Sequence, residues 1–164
     1  DHGFWTKHTN YEQAVRIPIM IAAPGKTAQG EATGQLAETV DIYPTLASLA
    51  GLPAPRVSQP IDGVDLSPVL KNPKMRVRDY AYHAFPKGGK MGRAFRTERY
   101  RIVEWSDQNK SPETTVYELY DYERDPLETK NLAKEQPEAL KRLKKIMAKE
   151  PEAVWQVVKK KGKS

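Results

Sequence analysis

The sequence predicts an α/β chain in two parts: a strand and helix first, then a small antiparallel sheet packed with a C-terminal helix. Three observations carry this. Ile17-Pro18-Ile19-Met20-Ile21-Ala22 is a nearly continuous apolar run ending at Pro24-Gly25, the pattern of a strand buried on both faces. Between Tyr80 and Tyr120, short aromatic stretches with partial alternation are separated by Gly, Asp, Asn and Pro clusters, as antiparallel strands are. Residues 137–149 then place Ala139, Leu140, Leu143, Ile146 and Met147 on one helical face and lysines on the other.

The elements follow in order. Tyr11 to Arg16 reads as a short helical turn with Asn10 as its N-cap, and Glu12 and Arg16 are spaced for an intrahelical ion pair. Residues 26–37 are a polar loop. Asp41 is placed to cap a helix with Pro44 in its first turn and Gly51 and Pro53 at its end. Its apolar positions Ile42, Leu46, Leu49 and Ala50 recur at helical spacing. Five prolines make residues 53–78 a meandering connection with a helical turn at Leu66 to Leu70. The predicted strands are Tyr80 to Phe85, Gly92 to Thr97, Tyr100 to Trp105 and Thr115 to Tyr120. The expected division is 1–77, 78–149 and a basic tail over 150–164.

Composition narrows the function. The 164 residues contain no cysteine, which excludes disulfides, thiolate nucleophiles and cysteine-ligated zinc in this chain. The net charge of +6 sits at the C-terminal end, because residues 134–164 hold ten basic and four acidic side chains. A tail such as KKKGKS can touch nucleic acid or acidic polysaccharide, but it reads first as a solubilising end. No recognition motif accompanies it, so a nucleic-acid partner is not expected. No apolar run is long enough for a transmembrane segment.

Three stretches together resemble the sulfatase family, of the alkaline-phosphatase-like superfamily. KHTNYEQAVRIPIMIAAPG is similar to that family's second signature region. VDIYPTLASLAGLP resembles the helix that follows it, and LYDYERDPLETKNLA the segment that ends its C-terminal sheet. AYHAFPK, MGRAFRTERYRIVEW and ELYDYERDP resemble the iduronate-2-sulfatase branch in particular. The resemblance implies the C-terminal part of an α/β sulfatase fold, with residues 1–77 completing its catalytic domain. It implies a sulfated carbohydrate substrate, a uronate-containing glycosaminoglycan-like polysaccharide, and a periplasmic, secreted or lysosomal setting. Family members use a formylglycine nucleophile, made from Cys or Ser in a Cys/Ser-x-Pro-x-Arg motif, with calcium holding the sulfate. The nearest match here, Ser58-Gln59-Pro60-Ile61-Asp62, replaces the Arg by Asp, so Ser58 reads as a loop residue.

Asp1 and His2 could each offer a metal ligand. In the iduronate-2-sulfatase-like branch, however, the calcium-binding Asp-His-Gly precedes a second similar motif, which a Trp and the active-site Lys soon follow. Only Gly3, Phe4, Trp5 and Thr6 separate His2 from Lys7, an interval that matches the second motif. The resemblance therefore implies that calcium ligands and nucleophile lie upstream, in the remainder of the sulfatase chain, and that this portion alone is inactive. Asp1 and His2 remain the alternative metal pair. Lys7 matches the lysine that donates to a sulfate oxygen, although composition alone makes it one solvated lysine among 27 basic residues. Trp5 and His83 are further candidates for the sugar side of the pocket, with core packing and a satisfied strand histidine as the competing roles. A non-catalytic remnant binding anionic polysaccharide is the alternative function.

Overall fold

A computed structural model of the protein describes residues 2, 3, 5, 7–54, 58–109 and 111–155. It contains helices α1 (Glu12–Val15), α2 (Ile42–Leu49), α3 (Ser67–Lys71) and α4 (Pro137–Met147), and strands β1 (Tyr80–Lys87), β2 (Lys90–Thr97), β3 (Tyr100–Ser106) and β4 (Val116–Asp121). The chain divides into two compact units, residues 1–16 with 82–164, and residues 17–81. The basic segment KKKGKS lies outside the described residues.

The strands form one sheet in the order β1-β2-β3-β4. Gly88 and Gly89 both take positive φ, 58° and 77°, which lets a two-residue turn join β1 to β2. Gly92 lies opposite Trp105 and Phe95 opposite Ile102, while Ile102 in turn faces Leu119. Alternation puts Phe95, Ile102 and Leu119 on one face, all buried to 1% exposure or less. Helix α4 covers that face. Leu143 and Met147 are its buried residues, and Lys144 Nζ lies 4.1 Å from the centre of the Tyr117 ring. Each such large apolar side chain contributes roughly 1.5–3 kcal/mol on burial.

The opposite face carries Gly92, Arg96, Arg101, Trp105, Glu118 and Tyr120. Residues 10–12 lie against it. Asn10 is buried and donates from Nδ2 to the Gly92 carbonyl at 3.3 Å. A side chain at Gly92 would place its Cβ 2.3 Å from Asn10 Nδ2 and 2.5 Å from the Trp105 ring. Only glycine fits there. Asn10 is thus not the N-cap of α1 as expected: Tyr11 holds that position, without a side-chain cap, because the Asn10 amide is used across the sheet.

In the other unit, Asp41 is the organising residue. It is fully buried, accepts from the Glu38 and Val64 amides at 2.7 and 2.8 Å, and pairs with Arg78. Thr45 Oγ1 donates to the Asp41 carbonyl at 2.6 Å and accepts from Leu66 N at 2.8 Å, joining α2 to α3. The expected strand at residues 17–22 does not form. Ile17 and Met20 are 52% and 91% exposed, and among the described residues nothing pairs with this run. An apolar strand needs neighbours to take its main-chain groups, and without them it stays extended but unladdered.

Candidate functional site

The residues that the sequence singles out are not drawn into one cluster. Trp5 is fully exposed and Lys7 is exposed on the same loop. Three residues further on, that loop is pinned. Arg101 Nη1 donates to the Asn10 carbonyl, and Glu12 N donates to Glu128 Oε2 at 2.9 Å. His2, in the left-handed region at φ 53°, stacks on Tyr11 with ring centres 3.9 Å apart. Lys7 is therefore a solvent-facing cation carried on a segment whose far end is fixed to β2 and β3.

The pinning group is a charged network with almost no water access. Arg101 and Glu128 are 0% and 1% exposed and paired through Arg101 Nε. Tyr122 Oη donates to Glu128 and, at 3.1 Å, to Glu12 Oε2. Arg96 grips both oxygens of Glu12, at 3.1 and 3.3 Å. The expected Glu12–Arg16 pair is present at 3.9 Å, but Arg16 is largely exposed and Arg96 is the closer partner. Glu128 itself has φ 57°, a strained conformation for a residue with a side chain, held here by its three partners. Burial lowers the affinity of Arg101 for its proton, but Glu128 and Tyr122 outweigh that and raise its pKa.

His83 belongs to this network more than to an open surface. Burial, then the Arg101 charge, lower its pKa from 6.5 to about 4, and a hydrogen bond to the Asn10 main chain only partly offsets them. At neutral pH its imidazole is uncharged. Sequence reasoning did not find Arg101, Glu128, Tyr122 or Arg96. All four lie in the stretches that resemble the family, Arg96 and Arg101 in MGRAFRTERYRIVEW and Tyr122 and Glu128 in LYDYERDPLETKNLA, but nothing in their spacing pairs them.

Beside the network a cavity of about 300 Å³ opens between residues 9–11 and the sheet. Trp105, Glu118, Lys87 and Lys90 line it, with Arg101 at its wall. The Trp105 indole donates to Glu118 Oε1 at 3.0 Å, and Tyr120 Oη to Glu118 Oε2 at 3.3 Å.

A calcium site does not fit these residues. Among the described residues no three His, Asp or Glu side chains converge for a metal ion. Asp1 lies outside the described residues, and the His2 ring is stacked on Tyr11.

A four-stranded sheet with one helix across it, ahead of which a lysine-bearing loop is clamped, is consistent with an α/β C-terminal subdomain. Residues 1–154 match the C-terminal N-sulphoglucosamine sulphohydrolase family, and the chain belongs to it. Human arylsulfatase A is 35% identical, over 85% of this chain and 31% of its own length. The Delta 4,5-hexuronate-2-O-sulfatase of Bacteroides thetaiotaomicron is 31% identical, over 82% of this chain and 28% of its own. Mouse iduronate 2-sulfatase is 37% identical, but over only 34% of this chain and 14% of its own. A solved sulfatase from Bacteroides thetaiotaomicron, described in connection with glycosaminoglycan metabolism, superimposes with a TM-score of 0.58 at 24% identity over 73% of this chain and 27% of its own, a likeness of fold. The chain thus spans about a third or less of the curated relatives it matches. No helix among the described residues is long and apolar enough to cross a membrane.

Proposed function

We propose that this chain is the C-terminal portion of a sulfuric ester hydrolase that releases sulfate from a uronate-containing sugar, with Lys7 as its contribution to the reaction. The observation that supports this is the placement of Lys7: an exposed cation three residues from the pinned Asn10, within the span of residues 1–154 that the family covers. As the S–O bond of a sulfate ester breaks, negative charge grows on the departing oxygen. A positioned ammonium stabilises that charge, and removal of one such donor lowers the rate by about 10²–10³. In this reading residues 1–77 complete the catalytic domain, and a formylglycine nucleophile and calcium are supplied by another segment. Trp5 offers an aromatic face to the sugar. His83, neutral and largely enclosed, contributes hydrogen bonding only. The hexuronate sulfatase relative supports a uronate substrate, and the match to iduronate 2-sulfatase, confined to a third of the chain, supports that branch. A periplasmic, secreted or lysosomal setting accompanies it.

The test is sulfate release by the complete polypeptide that contains this chain. It is expected to desulfate 2-O-sulfated uronate disaccharides and to lose the activity with a calcium chelator. Binding of the same sugars without sulfate release would favour a non-catalytic anionic-polysaccharide module.

A further inference from the structure

The outer face of α4 carries more cations than the fold uses. The helix holds Lys141, Arg142, Lys144 and Lys145 against one acidic residue, Glu138, and Lys149 follows in the turn that closes it. Two of these cations are spent inside the domain. Arg142 lies 5.7 Å from the centre of the Tyr100 ring and Lys144 4.1 Å from that of Tyr117. Lys141, Lys145 and Lys149 are exposed, and among the described residues no carboxylate pairs with any of them. Lys141 and Lys145 stand one turn apart on the same helical stripe, where like charges repel and cost stability unless something outside the helix offsets them. A helix C-terminus favours cations only in its last turn, which accounts for Lys145 but not for Lys141, a turn earlier.

The shape of this face narrows what could offset the charge. It is the convex side of a helix, so a ligand meets no groove there. The Tyr100 and Tyr117 rings at its base are already covered by Arg142 and Lys144, which leaves no open aromatic face on which a sugar could stack. The apolar side of α4 is taken up by the sheet, with Leu143 and Met147 buried, so the helix cannot sink into a hydrocarbon layer. Charge alone remains, on a surface that a plane of anionic headgroups can meet at several points at once. In the sequence, KKKGKS follows with four more lysines.

We propose that the outer face of α4 is a docking surface for an anionic lipid bilayer, held by charge and without insertion. It lies across the sheet from residues 10–12, which pin the Lys7 loop, and it is independent of the proposed function.

Co-sedimentation of the complete polypeptide with lipid vesicles tests it. Binding is expected to vesicles of equimolar phosphatidylglycerol and phosphatidylcholine, to be absent with phosphatidylcholine alone, and to be reversed by high salt. Lys141→Gln/Lys145→Gln, which exchanges one good helix former for another, is expected to weaken binding at least roughly tenfold. Lys71→Gln/Lys74→Gln removes the same charge from exposed positions off this helix and is expected to leave binding unchanged. Equal weakening by the two double variants would overturn the proposal, since net charge would then suffice. So would unaltered binding in Lys141→Gln/Lys145→Gln, or no binding to the acidic vesicles. Capture of dextran sulfate through Lys141 and Lys145 by a polypeptide that ignores the vesicles would also overturn it and give the face to a polysaccharide. Vesicle binding by a polypeptide that releases no sulfate would leave the docking surface standing while the hydrolase reading falls.

Discussion

At the scale of single residues, the Arg101–Glu128 pair governs where the Lys7 loop sits, because Glu128 takes the Glu12 amide on one oxygen and Arg101 with Tyr122 on the other. Removing one member of a buried pair leaves the other charged and unpaired, which costs about 3–5 kcal/mol. Glu128→Ala should therefore destabilise by that amount in urea unfolding. A change under about 1 kcal/mol would show the pair to be dispensable. His83 gives a prediction of definite sign. Its folded pKa is depressed, so the unfolded chain binds the proton more readily and stability falls as pH drops from 6.5 toward about 4. Between about pH 7.5 and about pH 5 this amounts to about 2 kcal/mol, and His83→Gln should remove most of that slope. An identical slope in the variant would place the titration elsewhere. Local spacing made the Glu12–Arg16 pair legible, since four residues along a helix fix two side chains side by side. It could not reveal Arg96 on Glu12, a contact 84 residues away in sequence, nor Glu128, whose partners depend on sheet register.

At the scale of elements, the strands and α4 were legible because period and punctuation agreed. The observed strands extend the expected ones by a few residues at most, and Gly88-Gly89 marks the first turn. Gly92 shows what periodicity misses. Within a strand pattern it looks replaceable, yet the Asn10 amide and Trp105 ring occupy the space of a side chain. Gly92→Ala should destabilise by about 1–3 kcal/mol through overpacking. Near-neutral behaviour in thermal unfolding would mean that residues 9–11 yield easily. The run Ile17 to Ala22 was read as a strand because its composition is that of one, but composition cannot supply pairing partners. In the 164-residue chain the Ile19 and Ile21 amides should exchange with solvent as fast as an open loop, and strong protection would reveal a partner.

For the whole molecule, the two units differ in what holds them. The sheet unit buries Phe95, Ile102, Leu119 and Met147 in a continuous apolar core. Among the described residues of 17–81 the buried side chains are Asp41, Thr45, Leu66 and Val69, while Tyr43 and Leu46 of α2 stay more than half exposed. Of the apolar stripe expected on α2, Ile42 and Leu49 are half-buried while Leu46 and Ala50 are exposed. The central claim concerns chemistry carried by one loop, and the most direct test is the kcat for sulfate release by the complete polypeptide with and without Lys7→Ala. A loss of about 10²–10³ in kcat, partly restored in Lys7→Arg, is the predicted result. An unchanged kcat in Lys7→Ala would contradict it and leave this loop without a part in the reaction.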